Sequence, residues 1–398
     1  MQFRPKYLGF LAIGLVMCLF GWKGYAYFFD RSQPKLALLG IEPSQCCAGD
    51  VSCMVSASKS GDISIYLDGQ PLVQQFRLSK SDHGHSFSVP TKTINDGKHV
   101  LKAVFSDTTF SHNKAEIERE FFVDNVPLQA AFVQSDAQYK VLQGRTLHVQ
   151  FQTNKEIKEA RVSTLSKTYE AFPESQGSNI YEAFIPVECE EKANEYLMSV
   201  DLVDAVGNAL RLDNKFLVVK YPFKTSRLVV DAEKIKKEEE LGYPRKEFEK
   251  LVTQLTENSV KEKLWRGEFC TPIEIRQVTT EFGTVRTTEH KGRYAHKAID
   301  VVNMPRSIIW APQDGIVVCK DRFADSGNTV ILDHGYGVLS MFFHLEDFAN
   351  INIGDKVAQG NPLGKLGKTG YASGYHLHWE MRVNNVQVDP MQWTKTTF

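Results

Sequence analysis

Four histidines and an aspartate in the last third of the chain, His296, Asp300, His344, His376 and His378, are the side-chain types of a mononuclear zinc hydrolase. Catalytic zinc takes three nitrogen or oxygen ligands and keeps a fourth position open for water. Bulky apolar and polar residues alternate from Tyr375 to Met381, which predicts a strand. His376 and His378 then share one face, roughly 7 Å apart, so that one can bind metal while the other works on substrate. His296-Lys297-Ala298-Ile299-Asp300 presents the opposite problem. Fully extended, it would hold its His and Asp about 13 Å apart, too far to share an ion whose ligand bonds are about 2 Å. If both are ligands, the chain must curl between them. Neither H-x-x-x-D nor H-x-H is specific alone.

Their order and surroundings are specific. Upstream stand Glu281-Phe282-Gly283 with Arg286, then His296 to Asp300, Ala311-Pro312 with Asp314-Gly315, and Gly327-Asn328-Thr329-Val330. There follow Asp333-His334-Gly335-Tyr336-Gly337, Phe343-His344-Leu345, Gly354-Asp355-Lys356-Val357, Gly360, Gly364, Gly367 and Thr369-Gly370. Ser373-Gly374, His376-Leu377-His378-Trp379-Glu380 and Asp389-Pro390 close the series. With these phrases the stretch from about Phe282 to Trp393 resembles the catalytic domain of the lysostaphin-type (LytM-like) zinc endopeptidases, which cleave peptidoglycan cross-bridges. The resemblance covers less than a third of the chain.

Carried over position by position, it implies that His296, Asp300 and His378 are the zinc ligands, with one Zn2+ per catalytic domain. It implies that His344 and His376 are the catalytic, non-ligand pair. Zinc lowers the pKa of bound water toward neutrality, one imidazole can take up or give a proton, and a second can hydrogen-bond an oxyanion. His334, before a Gly-x-Gly turn, reads as structural or as a substrate-side residue. Tyr336 and Tyr371 suit either the cleft or loop packing. Two departures stand out: Ala298 where the family usually has Gly, and Ser340-Met341-Phe342-Phe343 where it often has Thr-x-Tyr. Ala disfavours positive φ, so the curl must use an ordinary dihedral there.

The elements that position these residues are less conspicuous. The chain has 398 residues and a formal net charge of −1, which suggests two to four domains and gives no global preference for nucleic acid or anionic membrane. Arg4 and Lys6 precede an apolar segment over residues 7–29, interrupted at Lys23. This is long enough to span a bilayer as an uncleaved anchor or, as the rival, to serve as a signal segment, with residues 1–6 cytoplasmic. Export would permit a disulfide from Cys53 to Cys46 or Cys47.

Residues 34–125 alternate in the manner of strands around the Asp68-Gly69 and Asn95-Asp96-Gly97 turns, and 126–222 repeat the pattern around Gly207-Asn208. These are expected to be two tandem immunoglobulin-like β-sandwiches. His83-Gly84-His85 reads as an exposed turn rather than a metal clip. In residues 223–261, a helical connector, Phe248, Leu251, Val252 and Leu255 form one apolar stripe after Pro244. Residues 262–398 are the peptidase domain, expected by resemblance to be a largely antiparallel β-sheet.

The expectation is therefore a mainly β, membrane-anchored zinc metalloendopeptidase facing the periplasm or cell exterior, with peptidoglycan as partner and no nucleic acid. The rival is a catalytically inactive scaffold that binds peptidoglycan or activates another hydrolase. Residues 34–260 would either shield the zinc site or only set its reach from the membrane.

Overall fold

The computed structural model describes residues 21–25, 27–135, 139–227, 243–288 and 292–398, with isolated positions between 233 and 240. Most of the anticipated anchor, residues 7–20 and 26, lies outside the described residues. Among the described residues no helix is long and apolar enough to cross a membrane. The chain is mainly β and divides into two compact units, Met1–Pro127 with Ala205–Asn208, and Leu128–Asp204 with Ala209–Phe398.

In the first unit, alternation places every second residue inward. Ile63, Ile65 and Leu67 from Gly61–Leu67 and Leu101, Ala103 and Phe105 from Gly97–Asp107 are buried in one core with Val55 of Val51–Ala57. Those residues come from two sheets, one of five strands and one of three, so two faces share a single core. Cys47 and Cys53 are buried there as free thiols, and the anticipated Cys53 bridge is not formed. His85 stacks on Phe76 with ring centroids 3.7 Å apart, beside the turn at Gly84.

The second unit opens with another two-sheet layer over residues 130–219, of five and four strands, whose core includes Val149, Phe151, Val162, Tyr181 and Val200. It continues into an eight-stranded sheet. Along that sheet run Gln277–Thr280, Ile299–Val302, Leu377–Val383, Val338–Leu345, Gly327–Asp333, Gly315–Phe323 and Lys356–Val357, each antiparallel to its neighbour, and the eighth strand, Val386–Val388, pairs antiparallel with Leu377–Val383.

Residues 223–261 do more than connect. Thr225–Arg227 adds in parallel to Thr284–Thr288, which pairs in turn with Gly292–His296. The apolar stripe forms the helix Arg245–Glu257, entered through Pro244, where φ is already helical and no N–H is needed. Phe248 and Val252 are buried against Cys319, Phe323, Ile331, Leu339, Met341 and Phe343 of the large sheet.

The four-stranded sheet and the eight-stranded sheet meet through large side chains. Phe172 and Phe184 lie in one buried cluster with Trp265, Phe269, Met381, Val383, Trp393 and Phe398. Beside it the carboxylate of Glu182, fully buried, accepts from His148 at 2.8 Å and from Lys263 at 2.8 Å.

Candidate metal centre

The two halves of H-x-x-x-D lie in different sheets. His296 ends Gly292–His296 of the small sheet, the chain bends through Lys297-Ala298, and Asp300 lies in Ile299–Val302 of the large one. This is the curl that the spacing requires. Ala298 is fully buried and absent from the residues with positive φ, so the bend uses an ordinary dihedral where the family has Gly. The strand carrying H-x-H begins two residues later than the alternation from Tyr375 suggests, at Leu377, which leaves His376 at its entry. Asp300 and His378 are direct cross-strand partners, and so are His378 and Phe343. Paired residues share a face, so register brings the donors together.

The donor atoms of His296, Asp300 and His378 all lie within 4.8 Å of one another. His296 Nε2 is 3.0 Å from Asp300 Oδ1, and His378 Nδ1 is 2.9 Å from the same oxygen. Tetrahedral zinc with bonds of about 2.0–2.1 Å would separate its ligand atoms by about 3.3 Å, so the two contacts about Asp300 Oδ1 would open slightly and no pair would have to close by more than about 1.5 Å. His296 Nε2 is moreover buried and makes no hydrogen bond among the described residues. An orphaned buried nitrogen is costly, and a metal at this point would satisfy it. The residues present fit a zinc ion.

The electrostatics favour the ligating charge state at two of the three, Asp300 and His296. Burial pushes Asp300 up, but the close approach of His296 and the hydrogen bond from His378 outweigh it and hold the carboxyl well below its usual range. Arg286 Nη2 grips the other oxygen, Oδ2, at 2.6 Å and also donates to Thr280 Oγ1 at 2.7 Å. Burial drives His296 down to about 4, toward the neutral form that ligates. In the metal-free site His378 goes the other way: burial opposes its charge, but contacts to Asp300 and Glu380 raise it to about 9.

His344 and His376 stand beside this cluster, with ring centroids 4.7 Å apart. The Nδ1 of His344 sits 2.8 Å from Thr369 O, and that of His376 2.9 Å from Gly374 O. A carbonyl only accepts, so each Nδ1 carries the proton and each neutral ring presents Nε2 as a base. Burial lowers both, His344 well below the usual range, with His376 and His378 adding repulsion. His344 holds a positive φ of 64°, a strained conformation for a non-glycine residue. Its setting is tight: its amide donates to Ser326 O at 2.8 Å, and Thr369 Oγ1 donates to Leu345 O at 2.8 Å. Gly327 has φ 64°, and a Cβ there would come within 2.3 Å of Thr369 Oγ1.

The remaining sequence candidates fall outside the cluster. His334 is wholly buried between Asp314 O at 2.7 Å and Ser340 Oγ at 2.9 Å, a structural role. Tyr336 lies flat on Phe172, and the Tyr371 amide donates to Asp325 O. Arg286, Thr369, Glu380 and Arg382 had no assigned role in the sequence reading, although Arg286, Thr369 and Glu380 lie within its motifs. Glu380 is buried 3.8 Å from His378 Nε2, and Arg382 Nε donates to it at 2.5 Å. Burial raises Glu380, but the charge of Arg382 prevails and holds it near 2.

Residues 294–390 match the model of Peptidase family M23. They form an M23 peptidase domain. Over 120 residues, 30% of this chain, the sequence is 32% identical to the peptidoglycan DD-endopeptidase ShyC of Vibrio cholerae. Over 121 residues it is 31% identical to the DD-carboxypeptidase/endopeptidase Mpg of Neisseria meningitidis. These matches take in 28% and 27% of the length of those relatives. Among solved structures, a candidate M23 peptidase of Pseudomonas aeruginosa aligns over 64% of this chain and 94% of its own, with 22% identity and a TM-score of 0.47. The catalytic domain of lysostaphin from Staphylococcus simulans aligns over 36% of this chain and 98% of its own, with 23% identity and a TM-score of 0.25. The M23 match begins two residues before His296 and ends twelve after His378, so it contains all five candidate site residues and excludes the helix Arg245–Glu257.

Proposed function

We propose that this chain is a membrane-anchored, envelope-facing zinc metalloendopeptidase that hydrolyses the peptide cross-links of peptidoglycan. The observation that carries the reading is the convergence of His296, Asp300 and His378 within 4.8 Å beside the paired bases His344 and His376. The substrate class is taken from the M23 domain and from relatives named peptidoglycan DD-endopeptidases. The apolar segment over residues 7–29 is the proposed anchor.

His296 through Nε2, Asp300 through Oδ1 and His378 through Nδ1 would hold the ion. When bound, zinc supplies Lewis acidity, polarising the scissile carbonyl and making water more acidic. The protein supplies the proton handling. With Nδ1 of His344 and of His376 committed to backbone carbonyls, either Nε2 can accept the proton that the attacking water loses. The ring that has accepted it becomes an N–H donor at Nε2. From there it can hydrogen-bond the developing oxyanion and pass the proton to the leaving amine. Two rings 4.7 Å apart in a buried site cannot comfortably both be charged, so only one of the pair takes up a second proton at a time. No covalent intermediate is needed.

Digestion of purified cell wall by the chain, with products identified by mass spectrometry, tests the reading. Cross-linked muropeptide dimers should fall to monomers, and elemental analysis should find one zinc per chain. Dimers left intact by zinc-loaded, folded protein would replace it with the scaffold reading.

A further inference from the structure

The helix Arg245–Glu257 lies outside the M23 match, yet two of its consecutive residues reach the neighbours of one proposed zinc ligand. The first route is apolar. The ring of His378 stacks on Phe343 with centroids 4.9 Å apart and planes 6° from parallel, and Phe343 meets Phe248 edge-on at 5.5 Å. Phe248 and Phe343 are both buried. The second route is ionic. Glu380 faces His378 Nε2 at 3.8 Å, Arg382 Nε donates to Glu380 at 2.5 Å, and Arg382 Nη1 donates to Glu249 Oε2 at 2.9 Å.

Strand period explains why both routes end at the same ring. Residues 378, 380 and 382 project from one face of their strand, and Phe343, as the cross-strand partner of His378, projects from the same face. That face is the one on which the helix lies. The ring therefore has its flat side against Phe343 and its outer nitrogen toward Glu380, which leaves Nδ1 aimed at Asp300. A buried carboxylate such as Glu380 needs a counter-charge, and Arg382, only 3% exposed, needs a second carboxylate to satisfy its fork. Glu249 is that second carboxylate, supplied from the helix.

We propose that Phe248 and Glu249 are positioning residues for the zinc site, acting through Phe343 and through Arg382–Glu380 to fix the ring of His378. The inference rests on the zinc reading above and adds an element that the family domain does not contain. Outer partners of metal ligands typically change metal affinity 10–100-fold.

The test uses the full chain, with zinc affinity measured by competition against a chromophoric chelator and ligand geometry by the visible spectrum of the cobalt(II)-substituted protein. Glu249→Gln should weaken zinc about 10–100-fold and shift the cobalt bands. Glu249→Asp, which keeps the charge on a shorter arm, should recover part of the loss. Phe248→Leu should also shift the bands while preserving apolar bulk. Leu255→Ala removes a partly buried contact of the same helix away from His378. It should lower the melting temperature of the metal-free protein without moving the cobalt bands. Folded Glu249→Gln and Phe248→Leu proteins with wild-type affinity and spectrum would overturn the proposal. So would Leu255→Ala weakening zinc in the same proportion to its stability loss, since the helix would then act only through general stability. If Glu249→Gln does not fold, Phe248→Leu and Glu249→Asp decide by the same two readouts. A wild-type chain that takes up neither zinc nor cobalt would instead overturn the zinc reading itself, and this inference with it.

Discussion

His344 and His376 differ from His378 in what their Nδ1 atoms face. Those of the first two meet backbone carbonyls, and that of His378 meets a carboxylate shared with His296. Two classes of variant follow. His344→Ala and His376→Ala should keep stoichiometric zinc and lose about 10²- to 10⁴-fold in cleavage rate, the usual contribution of an acid–base group. His378→Ala should lose the metal. Elemental analysis alongside the cleavage assay checks both, and a zinc-free His344→Ala beside a zinc-replete His378→Ala would reverse the assignment. The metal-free site adds a proton test. With His378 raised to about 9, the ring is protonated at pH 7 and must shed that proton to ligate. Zinc uptake at pH 7 should release about one proton per ion, read with an indicator dye in weak buffer, and affinity should fall as pH drops. Release of none would mean that His378 is already neutral. All five residues were legible because their types are scarce and their spacing is particular. Arg286, Glu380 and Arg382 were not, because charged residues are common and their contacts depend on cross-strand register and on distant elements, such as Glu249 against Arg382, 133 residues apart.

Local patterns predict single elements better than they predict which elements meet. The apolar stripe of Phe248, Leu251, Val252 and Leu255 foretold the helix and the face it buries. Thr225–Arg227 had no such signal, since three residues after a proline carry no period, and only its pairing with Thr284–Thr288 makes it a strand. The junction at Glu182 was equally silent: His148 and Lys263 lie 34 and 81 residues from it. Burial raises the carboxyl of Glu182, but hydrogen bonds from His148 and Lys263 outweigh that and leave it below its ordinary value. A lowered folded-state pKa stabilises the protein above the unfolded value, about 4.3, and the contribution is lost as pH falls through the folded value. Glu182→Gln should therefore lower the melting temperature at pH 7 and flatten its dependence below about pH 5. The loss at pH 7 should be about 1–3 kcal/mol, because the half-buried Lys263 loses its charged partner. An unchanged melting temperature at pH 7 would show that the junction contributes little to stability.

At the scale of the whole molecule, the supports described for the site lie within residues 128–398. The small sheet bearing His296 is completed by Thr225–Arg227, and the large sheet is backed by Arg245–Glu257. The bend between His296 and Asp300 is tied to the two-sheet layer of residues 130–219 by Lys297, whose ammonium lies 3.0 Å from Glu190. An M23 domain cut out at residue 262 would lose the strand, the helix and this ion pair together, and would bare Phe323, Met341 and Phe343, which are now buried. Removing several large apolar contacts from a core, at about 2–5 kcal/mol each, is comparable to the roughly 5–15 kcal/mol by which whole domains are stable. A chain of residues 262–398 should accordingly be poorly folded and retain little zinc. Deletion of residues 34–127 removes only parts of the first unit, so zinc content should stay at one per chain. If that unit merely sets reach, cleavage of soluble peptidoglycan fragments should stay within about twofold of the full chain, a spread of less than 0.5 kcal/mol in barrier. Rates on soluble fragments and on intact wall, measured side by side, separate the remaining roles. A loss confined to intact wall is the mark of a spacer or wall-binding module. A gain on soluble fragments would mean that the first unit restrains the zinc site, and a loss of zinc would mean that the site extends beyond residues 128–398.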